Sequence, residues 1–225
     1  MAQKQNKQPT FTTPRGIFLF PHLVEPDYGT EEYPKPEGEY NVTLKLTARE
    51  AQPLIDKLEA LHQEAVALGE EKFNELKPQQ KKKLGELSVN ELYTEEYDKE
   101  TEEPTGNLLF KFKTKASGTN KKTGKGWERK LPVFDAKGKP FTPESIWGGT
   151  EGKISFTAMP YFVPALGMAG VTFYLNAVQV LELRSGAGAS ADAFGFGEED
   201  GFEAGDEDST DENDAPFDVD EEVDF

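Results

Sequence analysis

Between Thr105 and Pro140 the chain carries Lys111, Lys113, Lys115, Lys121, Lys122, Lys125, Arg129, Lys130, Lys137 and Lys139, against only Glu128 and Asp135. A local excess of eight positive charges has the chemistry of a groove that follows phosphates, because each base that neutralises a phosphate releases a condensed counterion. The first three bases alternate with apolar residues. In LLFKFKTKA, Leu108, Phe110, Phe112 and Thr114 face one way, and Leu109, Lys111, Lys113 and Lys115 the other. A lone strand of this kind is ordinarily an outer strand whose lysines discourage edge-to-edge pairing. The seven further bases around it shift the reading toward a polyanionic partner.

Aromatic rings are interleaved with that charge. Trp127 stands beside Arg129 and Lys130, and Tyr161 with Phe162 lies between Pro160 and Pro164. Stacking on such rings contributes roughly 1 to 3 kcal/mol per base and tolerates any base sequence, so charge with rings suits an unpaired polynucleotide. Trp127 fits a core position equally well, whereas Tyr161 and Phe162 are expected to be exposed.

Catalytic chemistry finds little support. GTNKKTGKG, Gly118 to Gly126, imitates a phosphate-binding loop, yet five residues rather than four separate its glycines and Gly126 stands where a magnesium-binding hydroxyl belongs. It reads instead as a lysine-rich hairpin loop. With His22 and His62 the only histidines and no cysteine, a zinc site is not expected, and His62 reads as helix surface. The acidic C-terminal run lacks the mid-loop glycine of an EF-hand, since Gly205 is the last glycine. Neither an enzyme nor a cofactor is expected.

The elements that would hold these residues are mostly strands. EYNVTLKL puts Tyr40, Val42, Leu44 and Leu46 on one side and Asn41, Thr43 and Lys45 on the other, the period of a half-buried strand. TARE follows, a capping box in which Thr47 and Glu50 satisfy each other, although Pro53 leaves the helix to start or kink there. Leu54, Leu58, Leu61, Ala65 and Leu68 then form one apolar stripe. Residues 77–105 are polar, with eight acids from Glu86 to Glu103, and read as an exposed excursion. GIFLFPHLV, NLLFKFKTKA, WERKLPVFD, GKISFTAMPYF and GVTFYLNAVQVLEL supply further strands, with Pro21 marking an edge or a bend. Six β segments with one long α-helix after the second predict a mainly β, closed or nearly closed barrel.

Charge divides the chain. Of 42 acidic residues, 16 lie from Ser185 onward with no base among them, which leaves 26 against 25 bases in the preceding body. The charge of −17 therefore belongs to the tail, whose flexible SGAGASADAFGFG opening and scarcity of aliphatic groups predict disorder. The expected organisation is a flexible extension over 1–15, one domain over 16–184 with the excursion at 77–105, and a disordered acidic tail over 185–225. Neither a leader nor a membrane segment is expected from the sequence. An anionic arm of this kind is electrostatically a loose imitation of a nucleic-acid strand and competes for the basic groove; once displaced, it offers Asp220, Glu221, Glu222, Asp224 and the terminal Phe225 to a basic, apolar pocket on another protein.

EPDYG at 25–29, YNVTLKL leading into a helix with LHQEA at 61–65, FKFKTKAS, MPY, LNAVQVLEL and the acidic end in DF occur in an order that resembles the replication-type single-stranded DNA-binding proteins of short-tailed bacteriophages. The resemblance covers about residues 24–184 and the last residues. It implies an OB-fold barrel of five or six strands and sequence-independent binding and annealing of single-stranded DNA in replication, recombination and repair. It also implies tail contacts with the phage DNA polymerase and primase-helicase through the terminal aromatic, a homodimer in many members, and a place in the cytoplasm of the infected host. On that resemblance Tyr161 of MPY stacks on a base, with Phe162 enlarging the platform, Lys111 and Lys113 of FKFK contact the backbone, and Phe225 anchors partners. The rival reading is a DNA-mimicking inhibitor or acidic chaperone that works through the tail alone.

Overall fold

A computed structural model describes residues 9–184. The outward–inward alternation of EYNVTLKL is realised in β3 (Pro34–Thr47), which pairs antiparallel with β2 (Gly16–Gly29) on one side and β6 (Pro104–Lys115) on the other. β6 runs parallel to β11 (Met168–Glu182), β11 forms a hairpin with β10 (Glu151–Val163), and β10 returns to β2 through Gly152↔Gly16 and Glu151↔Ile17. Five strands thus close in the order β2-β3-β6-β11-β10, the topology of an OB-fold barrel. Glycines at the closing seam make the approach possible. A Cβ at Gly152 would stand 2.4 Å from the Gln179 carbonyl oxygen and 2.6 Å from the Phe18 ring.

Alternate residues of these strands fill the interior. Phe18, Leu44, Leu46, Phe110, Phe112, Ile154, Phe156 and Leu175 are fully buried. Phe112, Phe156 and Phe173 pack ring against ring at centroid distances of 4.9 to 5.5 Å, within the range of favourable aromatic pairs. The capping box forms: Thr47 Oγ1 accepts the Glu50 N–H, and the Glu50 carboxylate accepts the Thr47 N–H at 3.0 Å. Helix α1 (Ala48–Glu75) therefore starts before Pro53, which is accommodated inside it. Its buried stripe is Ala51, Leu54, Leu58 and Ala65, the helix packs against β10, β11, β3 and β6, and Gly69 lies so near Ala169 that a Cβ there would be 2.6 Å away.

Four expectations change. Residues 10–13 do not belong to a flexible extension: β1 (Thr10–Thr12) pairs with β10, Phe11 stacks on Phe156 at 5.6 Å, and buried Thr13 accepts the Ile154 N–H. The segment 77–105 is exposed for much of its length, yet it contains α2 (Pro78–Leu84), β4 (Ser88–Val89) and β5 (Thr94–Tyr97). β5 pairs with β6 and buried Leu92 joins the core, so the excursion is fastened to the barrel. WERKLPVFD is not one strand. Pro132 lacks the N–H that a continuous ladder needs, and the stretch divides into β8 (Gly126–Glu128), paired with β7 (Ser117–Thr119), and β9 (Val133–Phe134), paired with β11. His62 is half-buried, with Nε2 enclosed and without a hydrogen-bond partner, rather than lying on the helix surface.

Candidate nucleic-acid interface

The outer face of β6 is built by the same alternation that fills the core. With Phe110, Phe112 and Thr114 turned inward, Lys111, Lys113 and Lys115 are exposed. Register then chooses their neighbours: Thr43 beside Lys111, Asn41 beside Lys113, Glu39 beside Lys115, and on the far side Tyr174 of β11 beside Lys113. Tyr174 is 43% exposed. The row Tyr174, Lys113, Asn41, His22 crosses four strands, placing a ring, a cation and two polar groups side by side.

At the hairpin end of this face the lysines meet carboxylates. Lys115 pairs with Glu37, and Lys113 approaches Glu39 at 3.8 Å. Lys35 bridges Asp27 at 2.6 Å and Glu39 at 2.9 Å. The Lys35 hydrogen bond holds the Asp27 carboxyl below its ordinary pKa, and the same bond raises that of Lys35. Among the described residues Lys111 has no ion-pair partner.

The β7–β8 hairpin extends the face beyond Lys115. Its loop is held by Asn120, whose side-chain oxygen accepts the Lys122 N–H at 2.9 Å, and it exposes Lys121, Lys122 and Lys125. Trp127 is neither core nor free: its indole lies against Gly118, where a Cβ would be 2.8 Å from the ring, and it is 38% exposed. The Arg129 guanidinium sits 5.6 Å from the indole centroid, a cation–π contact, and donates to Thr114 Oγ1 at 2.6 Å. Lys130 leaves this group. It lines a separate cleft of about 380 Å³ with Leu23, Tyr40, Leu131, Pro140 and Phe141.

Tyr161 pairs with Gly170 in the β10–β11 ladder, four residues along β11 from Tyr174 on the same face, about 13 Å at strand rise. Its hydroxyl accepts from Asn90 Nδ2 at 2.6 Å, and Gly170 leaves room for the ring. Phe162 does not enlarge that platform. Successive strand residues point to opposite faces, and Phe162 turns with its partner Ala169 away from Tyr161. Both rings are half-buried within β10 rather than displayed in a turn. Asp220, Glu221, Glu222, Asp224 and Phe225 lie outside the described residues.

Lys111, Lys113, Lys115, Tyr174 and Tyr161 thus share the outer face of the barrel, and the hairpin lysines and Trp127 lie beyond Lys115. Arg129 reaches inward-facing Thr114, Phe162 faces away from Tyr161, and Lys130 lines the separate cleft. Sequence reading missed Tyr174, although the alternation in VTFYL, with Phe173 inward, marks it. The pairing of Glu37 with Lys115 had no local signal, because the two are 78 residues apart; Glu39 also meets Lys35, four residues away.

A closed five-stranded barrel of this topology, with charge and rings on its outer face, defines an OB-fold protein. The family model described as single-stranded DNA-binding protein of bacteriophage T7 matches residues 16–183, and the chain belongs to that family. The single-stranded DNA-binding protein of Enterobacteria phage T3 is 32% identical over 187 residues, covering 81% of this chain and 79% of that protein. That of Escherichia phage T7 is 30% identical over 224 residues, covering 92% and 94%. The crystal structure of gp2.5, the T7 protein, superposes with a TM-score of 0.64 at 28% identity, covering 82% of this chain and 95% of the other.

Proposed function

We propose that this chain binds single-stranded DNA without regard to sequence and acts, without catalysis, in phage DNA replication, recombination and repair in the cytoplasm of the infected host. The row of Tyr174, Lys113 and Asn41 across the barrel carries the reading, because it sets a stacking surface beside a cation where backbone and base of one strand meet both. Lys111 and the hairpin lysines follow the phosphates, and Trp127, with the Arg129 guanidinium over its indole, and Tyr161 offer further rings. The acidic residues from Ser185 onward compete for this face; displaced by DNA, the end carrying Asp220, Glu221, Glu222, Asp224 and Phe225 recruits the phage polymerase and primase-helicase. The protein anneals complementary strands and works as a homodimer.

Filter binding of labelled oligonucleotides across a salt series tests the reading. Single strands bind more tightly than duplex, and the logarithm of the affinity falls with that of salt by about 0.7 per phosphate neutralised. Truncation after Arg184 tightens DNA binding and abolishes polymerase stimulation. Equal affinity for single and double strands overturns the proposal; no affinity of the truncated body for DNA favours a DNA-mimicking tail instead.

A further inference from the structure

We infer that Phe20 is a base-stacking residue of the interface, and that the bound strand runs across the barrel from Tyr174 to β2. The inference rests on the single-stranded DNA reading above and adds to it a residue and a direction. Phe20 is 81% exposed, among the most exposed of the large apolar side chains, and its φ of 49° lies in the left-handed region that disfavours side chains. The cause is local. Leu19 pairs with Thr43 and His22 with Asn41, so β2 spends three steps where β3 spends two, and the extra residue makes a bulge at Phe20–Pro21. Glycine would enter that conformation freely and leave no ring in water. A bulge re-aims a side chain, and here it leaves a phenylalanine in solvent beside the rows of Lys111 and Lys113, at the expense of backbone strain.

What faces that ring decides the occupant. Phe20 emerges between the row Leu19, Thr43, Lys111 and the row His22, Asn41, Lys113, Tyr174. Three strand spacings separate β2 from β11, about 14 Å, the span of a few nucleotides. Two rings thus lie to either side of Lys111 and Lys113; neither row itself holds a carboxylate, and only Lys113 is approached from the next row, by Glu39 at 3.8 Å. Asp27, Glu37 and Glu39 lie toward the hairpin end, which directs a polyanion across the strands at the level of Lys111 and Lys113.

The test uses the full chain with Phe20→Ala, Phe20→Leu and Phe20→Trp, titrated with oligothymidylates of increasing length. Phe20→Ala and Phe20→Leu each weaken binding about tenfold, because leucine keeps the bulk and loses the π face, and Phe20→Trp binds at least as tightly as the parent. The salt slope stays that of the parent, since no charge is altered. The thermal midpoint of Phe20→Gly is equal to or above the parent's, which separates the effect from folding. Photocrosslinking of 5-iodouracil oligonucleotide to the unaltered chain yields an adduct at Phe20. If the parent binds and Phe20→Ala or Phe20→Leu binds within twofold of it, the inference falls while the DNA reading stands; a parent that binds no single strand overturns both.

Discussion

Glu37 and Glu39 occupy two of the lysines that the proposed DNA would need, and removing their charge measures how far the face is held closed by its own carboxylates. Lys115 pairs with Glu37 and Lys113 lies 3.8 Å from Glu39, with both lysines at least half exposed. Exposed pairs of this kind contribute about 0.2 to 1 kcal/mol each. Displacing both therefore costs an incoming strand about 0.4 to 2 kcal/mol, so Glu37→Gln with Glu39→Gln tightens binding by about 2- to 30-fold. The salt slope steepens by about 0.7 for each lysine newly engaged with phosphate. Folding changes little, because Lys35 keeps Asp27 at 2.6 Å. The assay is anisotropy of a labelled oligothymidylate at two or more salt concentrations. The control is Glu64→Gln with Glu70→Gln on the exposed side of α1, which removes the same charge away from the face. Unchanged or weaker binding by the Glu37/Glu39 variant, or equal tightening by the control, refutes the reasoning.

Three further outcomes follow from the geometry. Thr47→Val removes the cap of α1 and lowers stability by about 1 kcal/mol in urea titration; the hydrogen bond from the Thr47 side chain holds the Glu50 carboxyl below its ordinary pKa, so its contribution is complete above the unfolded value and is lost as pH falls through the lowered one. Gly118→Ala sets a methyl 2.8 Å from the Trp127 ring, shifting tryptophan emission and weakening oligonucleotide binding with little change in thermal midpoint. Gly152→Ala forces Phe18 and the Gln179 carbonyl apart at the barrel seam, and destabilises by about 1 to 3 kcal/mol or more by denaturant unfolding.

Local rules were legible wherever one element satisfied itself. The period of two in EYNVTLKL and LLFKFKTKA placed Lys111, Lys113 and Lys115 opposite the core, and Thr47 with Glu50 marked the helix start, because neighbouring residues alone settle those questions. The same rule, applied at Phe162, would have parted it from Tyr161. Segments whose strand character comes from a distant partner were misread. Thr10–Thr12 is a strand because Ser155–Thr157 lies beside it, and the excursion is fastened because Thr94 meets Leu109.

By itself, the chain's order of residues determined a β barrel with one capped helix, a basic strand and an acidic end, since alternation, capping and charge are properties of adjacent residues. Only the tertiary structure decided which rings share a face with which cations. Tyr174 meets Lys113, Glu37 meets Lys115, and Phe20 is turned outward through register and a bulge, and these are set by hydrogen bonds between strands that the sequence leaves far apart.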